Sequence, residues 1–361
     1  MSNTLDLEYA YSEMDHAIAQ ELPKLNELRE LVKTLNVVEL GYRPCYAIAP
    51  VATDGGENRL TFEPISIEII RVVDSEGRER IQKIIPITSD PDIFKNYFKE
   101  IPILSRFLER LDIKYEDISY FLPQKKSEEE TIDVRGAVRT FRDVIEWAVL
   151  LDMAWEPERS TVLLLRDGLL RSKSMKEPTV QALAKSFQEA YNEKGTLLAG
   201  VAKKARVLNY FSLAMTLENV FDRNYPCFCE IPEKIEEKSY HYVATWLGKR
   251  NFGDLYFAKL TETSDGLILP IEIPRWLKDR RKEILEYIAD TAKVSFPVVG
   301  YPHQLIQAHE NAVLSGIEME VLATTLTRKV IDRIDETERE KILANIWFKR
   351  ALSKGGGKNF D

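Results

Sequence analysis

The sequence predicts an α/β fold, a mixed sheet flanked by helices with helical elaborations at its N- and C-terminal ends. Three observations carry that expectation. Residues 45–88 hold three successive stretches of strand character. TVLLLRDG at 161–168 and the later TLLAGVAKK are compact apolar runs of buried-strand length. Helical periodicity fills the segments between and around them.

Residues 5–40 read as helix, because Leu25, Leu28, Val32 and Leu35 repeat at helical spacing and form an apolar stripe. CYAIAPVAT, RLTFEPISIEIIRVVD and RERIQKIIPIT then read as an antiparallel meander. Its first turn falls at Gly55, Gly56 and Asn58, and its second at Asp74, Ser75, Glu76 and Gly77. Helices follow within 91–111 and 133–153, separated by the charged loop QKKSEEET. After the strand at 161–168 come a helix at about 177–193, the strand TLLAGVAKK, and a helix at about 207–221. Strands are expected at 239–247 and 253–260. Pro274 opens a further helix, Tyr301–Pro302 precedes one running to about 318, and ETEREKILANIWFKRAL forms the last. The tail GGGKNFD is expected to be mobile. A meander followed by helix, strand, helix, strand, helix is the order of an RNase H-like core. The expected division is an N-terminal helical region at 1–44, a main domain at 45–320, and a C-terminal helix and tail at 321–361.

Composition narrows the class. With 44% hydrophobic and 30% charged residues, 361 residues can bury a core without covalent staples. No apolar run is long enough to cross a membrane, and the N-terminus lacks the build of a signal peptide. Cys45, Cys227 and Cys229 form no disulfide framework, so a reducing cytoplasm is the expected compartment. The formal net charge of −8 argues mildly against nucleic acid as partner. Basic residues nonetheless cluster: Arg171, Lys173 and Lys176; Lys203, Lys204 and Arg206; and Arg275, Lys278, Arg280, Arg281 and Lys282. Each cluster also reads as a solvated helix face.

Two carboxylates stand out. Asp54 precedes Gly55–Gly56, and Asp167 precedes Gly168, each after an apolar strand. Strand ends of an α/β sheet are where ligands commonly bind, although Asp-Gly also marks ordinary turns. A firm Mg²⁺ or Mn²⁺ site needs further oxygen ligands. Glu146 is the candidate third acid, because it sits in the apolar stretch FRDVIEWAVLLDMA, where an uncompensated charge is costly. Asp143 and Asp152 are its rivals on the same helix, and Glu146 also reads as a solvent-facing residue.

GYPHQLIQAHENA, at 300–312, is the most informative stretch. Pro302 starts a helix, which places His309 within it. His303 and His309 do not share one helical face, so a zinc-type His pair is excluded. A His beside a metal site can bind phosphate, orient water or exchange a proton, and Tyr301 can hydrogen-bond a phosphate. A satisfied structural His is the competing reading.

Together these features resemble the NurA family. Asp54-Gly55-Gly56, Glu146, Asp167-Gly168-Leu169, and Tyr301-Pro302-His303 with Ala308-His309-Glu310 stand in the family's order over about residues 45–315. Gly56 occupies the place of the family's usual Ser. The resemblance implies an RNase H-like, metal-dependent nuclease that cuts single- and double-stranded DNA, including 5′-to-3′ resection. It implies that Asp54, Glu146 and Asp167 bind one or two divalent metals, Mn²⁺ or Mg²⁺, with Tyr301 and His309 completing the catalytic set. Lys203 or Lys204, and His303, would touch DNA. A homodimer and a HerA-type hexameric ATPase are the implied partners.

Other readings are weaker. Cys227-Phe228-Cys229 with His241 lacks a fourth zinc ligand, no GxSxG elbow is present, and no GxxxxGK[ST] is present for ATP hydrolysis. The competing class is a non-catalytic partner of the translocase whose site has decayed. A third is an RNase H-like enzyme with another nucleic-acid substrate.

Overall fold

The computed structural model describes residues 7–45, 49–62, 65–86, 92–123, 134–156, 162–203, 206–237, 248–264, 266–333, 335 and 338–340. In chain order, the elements up to the middle of the chain are α1 (Leu7–Val32), β1 (Val37–Glu39), β2 (Ala49–Phe62), β3 (Ile65–Asp74), β4 (Glu79–Pro86), α2 (Asp92–Glu100), α3 (Pro102–Leu111), α4 (Tyr115–Ile118) and α5 (Val134–Ala154). They continue as β5 (Val162–Asp167), α6 (Glu177–Lys194), β6 (Leu197–Val201), α7 (Arg206–Leu217), β7 (Cys227–Ile231), β8 (Gly253–Lys259), β9 (Ile268–Pro274), α8 (Arg281–Ala292), α9 (His303–Ala312) and α10 (Gly316–Ile331).

The described strands form one nine-stranded sheet in the order β1-β7-β8-β9-β6-β5-β2-β3-β4. β2 pairs parallel with β5, and β5 parallel with β6. β2, β3 and β4 form the expected antiparallel meander. The five strands from β4 to β6 therefore form an RNase H-like mixed sheet, and β9, β8, β7 and β1 extend it antiparallel.

Helices on both faces explain the continuous apolar run of β5. Successive strand side chains point to opposite faces. Leu164 joins the core that contains α5 and α6 residues, while Leu163 and Leu165 join the core that contains α8 and α9 residues. Burial on both faces leaves no position for the polar alternation of a one-sided sheet. α5 buries a broad apolar face that includes Phe141, Trp147 and Leu151, all fully buried. α6 begins with a Pro in its first turn and ends at Gly195 in the left-handed region.

Several expectations change. The N-terminal helix ends at Val32, and β1 follows within what was read as helix. Leu25, Leu28, Val32 and Leu35 pack into a core shared with α7, while Met14, Ile18 and Leu22 stay exposed. Gly55 and Gly56 make no turn: β2 runs through them and pairs with β3 to Phe62. β7 and β9 escape the sequence reading. β9 contains Pro270, beyond the last β6–β9 pair, and its carbonyl accepts the Ala202 N–H. Pro274 closes β9 rather than opening a long helix; 3₁₀ turns at Arg275–Arg280 lead into α8. The helix expected to run to 318 breaks before Ser315, whose side chain and Glu318 form a capping box for α10. The strand expected at 239–247, His241, Lys204, and all but 338–340 of the last expected helix lie outside the described residues.

Candidate metal centre

Parallel pairing brings the two Asp-Gly sites together. Thr53 of β2 is in register with Arg166 of β5, so Asp54 and Asp167 follow side by side at the carboxyl end of the parallel pair. β5 stops at Asp167, and Gly168, with φ of 122°, turns the chain away through a backbone region that side chains rarely adopt. The other glycines serve close packing. A Cβ on Gly55 would collide with the carboxylate of Glu146, and one on Gly56 with the backbone carbonyl of Ala312. α5 and α9 can therefore lie against β2 where a turn was expected.

α9 carries the imidazole into the site. His309 Nδ1 lies 2.6 Å from Asp54 Oδ2, while Asp54 Oδ1 accepts the Gly55 N–H at 2.8 Å. Tyr301, buried just before α9, has its hydroxyl 3.4 Å from Asp167 Oδ1. Burial, reinforced by Asp167, pushes the Tyr301 hydroxyl well above the usual tyrosine range, so it stays protonated and donates. Lys203 follows β6 and places Nζ 2.8 Å from Asp167 Oδ2 and 5.4 Å from the Tyr301 ring centroid.

Asp54, Asp167 and His309 each offer a ligand atom within 4.8 Å of the others. Two carboxylates and one imidazole suit Mn²⁺, with Mg²⁺ the harder alternative. The chain already sets cationic or hydrogen-donating groups against both acids, Lys203 on Asp167 and His309 on Asp54. The residues fit a divalent cation on donor chemistry and on this local demand for positive charge.

Glu146 stands beside this trio rather than within it. Its carboxylate packs on Gly55 and lies 3.5 Å from Arg142 and 3.8 Å from Arg166. Burial pushes it up to about 8, Arg166 opposes that shift, and Asp143 and Asp54 add to it. The rivals on α5 are engaged elsewhere. Asp152 receives a two-pronged bond from Arg106 at 2.8 and 2.9 Å. Asp143 accepts from Arg166 at 2.9 Å, Ser172 at 2.8 Å and Ser174 at 2.5 Å.

Arg166 is the site residue that the sequence reading missed. Its guanidinium bonds Asp143, donates to the Leu169 carbonyl at 2.8 Å, and lies 4.3 Å from the Trp147 ring centroid. A charged residue inside the apolar run VLLLRD was the available signal.

The basic clusters divide differently from their sequence grouping. Arg171 is no surface cation, since its buried guanidinium pairs with the buried Glu236 and Glu272. Lys278, Arg280 and Lys282 pair with Glu230, Glu283 and Glu286, as solvated faces do. Lys203 belongs to the centre. His303 is exposed in the first turn of α9, roughly 240° around the helix from His309. Cys227 and Cys229 are core thiols, pushed by burial up to about 11 and about 12.

No curated protein matches the chain. Among solved structures, the chain is similar to the NurA nuclease from Sulfolobus solfataricus at 12% identity, covering 92% of this chain and 99% of that one, with a TM-score of 0.46. It is similar to NurA bound to dAMP and manganese at 10% identity, covering 93% and 99%, with a TM-score of 0.49. A family model, the NurA domain, matches residues 50–314, which includes every residue of the centre described above. The chain belongs to the NurA family.

Proposed function

We propose that the chain is a divalent-metal-dependent deoxyribonuclease, acting as 5′-to-3′ exonuclease and endonuclease on single- and double-stranded DNA. The observation that carries this reading is the convergence of Asp54, Asp167 and His309 to within 4.8 Å, with Lys203 against Asp167. These three, with Glu146 alongside, would hold one or two Mn²⁺ or Mg²⁺ ions. When bound, the metal supplies activation of water and relief of the charge that builds at a phosphodiester. The chain's own residues do the positioning. Tyr301 donates a hydrogen bond at Asp167 and holds that carboxylate. Lys203, with Lys204 beside it in sequence, contributes positive charge for DNA phosphate. His309 orients Asp54 and is available for proton exchange. His303, exposed at the start of α9, is a further DNA contact.

The same reading assigns a homodimer working in the cytoplasm beside a HerA-type hexameric ATPase, in DNA end processing or defence against foreign DNA. The exposed stripe of Met14, Ile18 and Leu22 on α1, with exposed Leu213 and Leu217 on the adjoining α7, supports an association surface. No helix among the described residues is long and apolar enough to cross a membrane.

The test is Mn²⁺-dependent degradation of end-labelled linear DNA by wild type, Asp54→Ala and Asp167→Ala, each with and without the ATPase. Metal-dependent cutting that both substitutions abolish supports the reading. A wild type that cuts nothing, even with its ATPase, points to a structural partner of the translocase.

A further inference from the structure

Arg166 and Asp167 are consecutive on β5, so their side chains leave opposite faces of the sheet. Asp167 meets Tyr301 and Lys203 on the face of the metal centre, while Arg166 meets α5 on the other. The buried guanidinium reaches three places at once. One nitrogen donates to the Leu169 carbonyl at 2.8 Å. The other donates to Asp143 at 2.9 Å and lies 3.8 Å from Glu146. A Cβ on Gly168 would strike the first of these nitrogens, so the guanidinium packs directly against the Asp167–Gly168 turn.

Three bonds hold that turn, each to a different part of the fold. The Gly168 N–H donates to the Val201 carbonyl of β6 at 2.8 Å, and the Leu170 N–H donates to Glu272 of β9 at 2.6 Å. The third is the Arg166 bond to Leu169, and it continues to α5, the helix that carries Glu146. A charge buried here needs a reason, because a buried ion pair is often no more stabilising than apolar side chains of similar volume. Asp143 does not depend on it alone, since Ser172 and Ser174 also donate to that carboxylate, at 2.8 and 2.5 Å. What a guanidinium adds is a rigid planar fork whose donors point at the turn and at the helix together.

Resting on the nuclease reading above, we propose that Arg166 is a positioning residue of the metal centre: its fork fixes the Asp167 turn against α5 and so sets the spacing between Asp167 on one face of the sheet and Glu146 on the other. It acts through the Leu169 backbone and the α5 carboxylates. Groups that orient metal ligands from behind commonly carry about 10- to 100-fold of the metal affinity.

Charge and geometry make opposite predictions for this residue. As a nearby cation, Arg166 repels metal, so removing its charge would strengthen Mn²⁺ binding. As a positioning fork, its loss weakens Mn²⁺ binding even though the repulsion is gone. Lys keeps the charge and loses the fork, and Gln loses both.

The test is Mn²⁺ binding to the full chain without DNA, followed by electron paramagnetic resonance, for wild type, Arg166→Lys and Arg166→Gln. Melting curves set an assay temperature at which the variants are folded, and the Gln variant, which buries no cation, carries the test if the Lys variant does not fold. We expect Mn²⁺ affinity to fall about tenfold or more in both. Unchanged affinity with a lowered melting temperature would make Arg166 a brace for folding and overturn the proposal. A Lys variant that matches wild type, with tighter Mn²⁺ binding in the Gln variant, would make it a counter-charge and overturn the proposal as well. In either case a wild type that binds Mn²⁺ and cuts DNA leaves the nuclease reading standing. A wild type that binds no Mn²⁺ removes both.

Discussion

Gly56 lies directly beneath the backbone carbonyl of Ala312, where a Cβ would collide with the oxygen. This contact seats the C-terminal end of α9 on β2, and the same helix presents His309 to Asp54 at 2.6 Å. In this chain the position has no room for a side chain. Gly56→Ala and Gly56→Ser should each destabilise the fold by about 1–3 kcal/mol through overpacking. Both should weaken Mn²⁺ binding as α9 lifts. Thermal melting and calorimetric Mn²⁺ titration check this. A Ser variant that matches wild type in both would show that α9 is not seated by this contact.

Glu146 should give metal-free protein a stability that falls with pH. Burial raises its pKa from 4.5 to about 8, so between those values the folded chain holds a proton that the unfolded chain has released. Stability is then fully present below the unfolded value and is lost as pH rises through the folded one. Glu146→Gln cannot titrate and should flatten that part of the profile. Mn²⁺ should flatten it in wild type as well, because a nearby cation favours the carboxylate. Melting curves between about pH 5 and about pH 9, with and without Mn²⁺, read this directly. A wild-type profile no steeper than that of the Gln variant would count against it.

Lys203 neutralises Asp167 from 2.8 Å and therefore competes with metal for that carboxylate. In Lys203→Met, Mn²⁺ affinity should rise on the order of 2–5-fold, the scale of a part-exposed ion pair. DNA affinity should fall, and the slope of log K against log salt should shrink by about 1 if the ammonium meets a phosphate. Unchanged salt dependence would remove Lys203 from the DNA contact and leave it a partner of Asp167 alone.

The parts of this fold that were readable from sequence are those where one physical demand acts alone. β5 is buried on both faces, so it reads as an unbroken apolar run ending at Asp167–Gly168. The meander is readable from its strand content and from its Asp74–Gly77 turn. Misreadings arise where one residue type answers two demands. Gly55 and Gly56 read as a turn, but they are small because Glu146 and Ala312 crowd β2 from outside it, which no local pattern records. β9 was hidden by its prolines, and Arg166 by the apolar run around it. The order of Asp54, Glu146, Asp167, Tyr301 and His309 was visible. That His309 meets Asp54 while Glu146 sits across Gly55 is a matter of packing between distant segments.

Arg171 separates structural from DNA-binding cations. Sequence grouped it with Lys173 and Lys176, yet it is buried between Glu236 and Glu272. Glu272 Oε2 also accepts the Leu170 N–H at 2.6 Å, so the pair braces the chain just after the Asp167–Gly168 turn. Removing the guanidinium leaves two buried carboxylates without their cation. Arg171→Met should therefore destabilise by about 3–5 kcal/mol. Arg171→Lys should recover only part of that, because an ammonium lacks the planar fork that reaches both acids. If Arg171 acts only inside the protein, the Lys variant, assayed below its melting temperature, should keep the wild-type salt slope for DNA binding. A variant that melts like wild type but loses salt dependence would return Arg171 to the DNA surface.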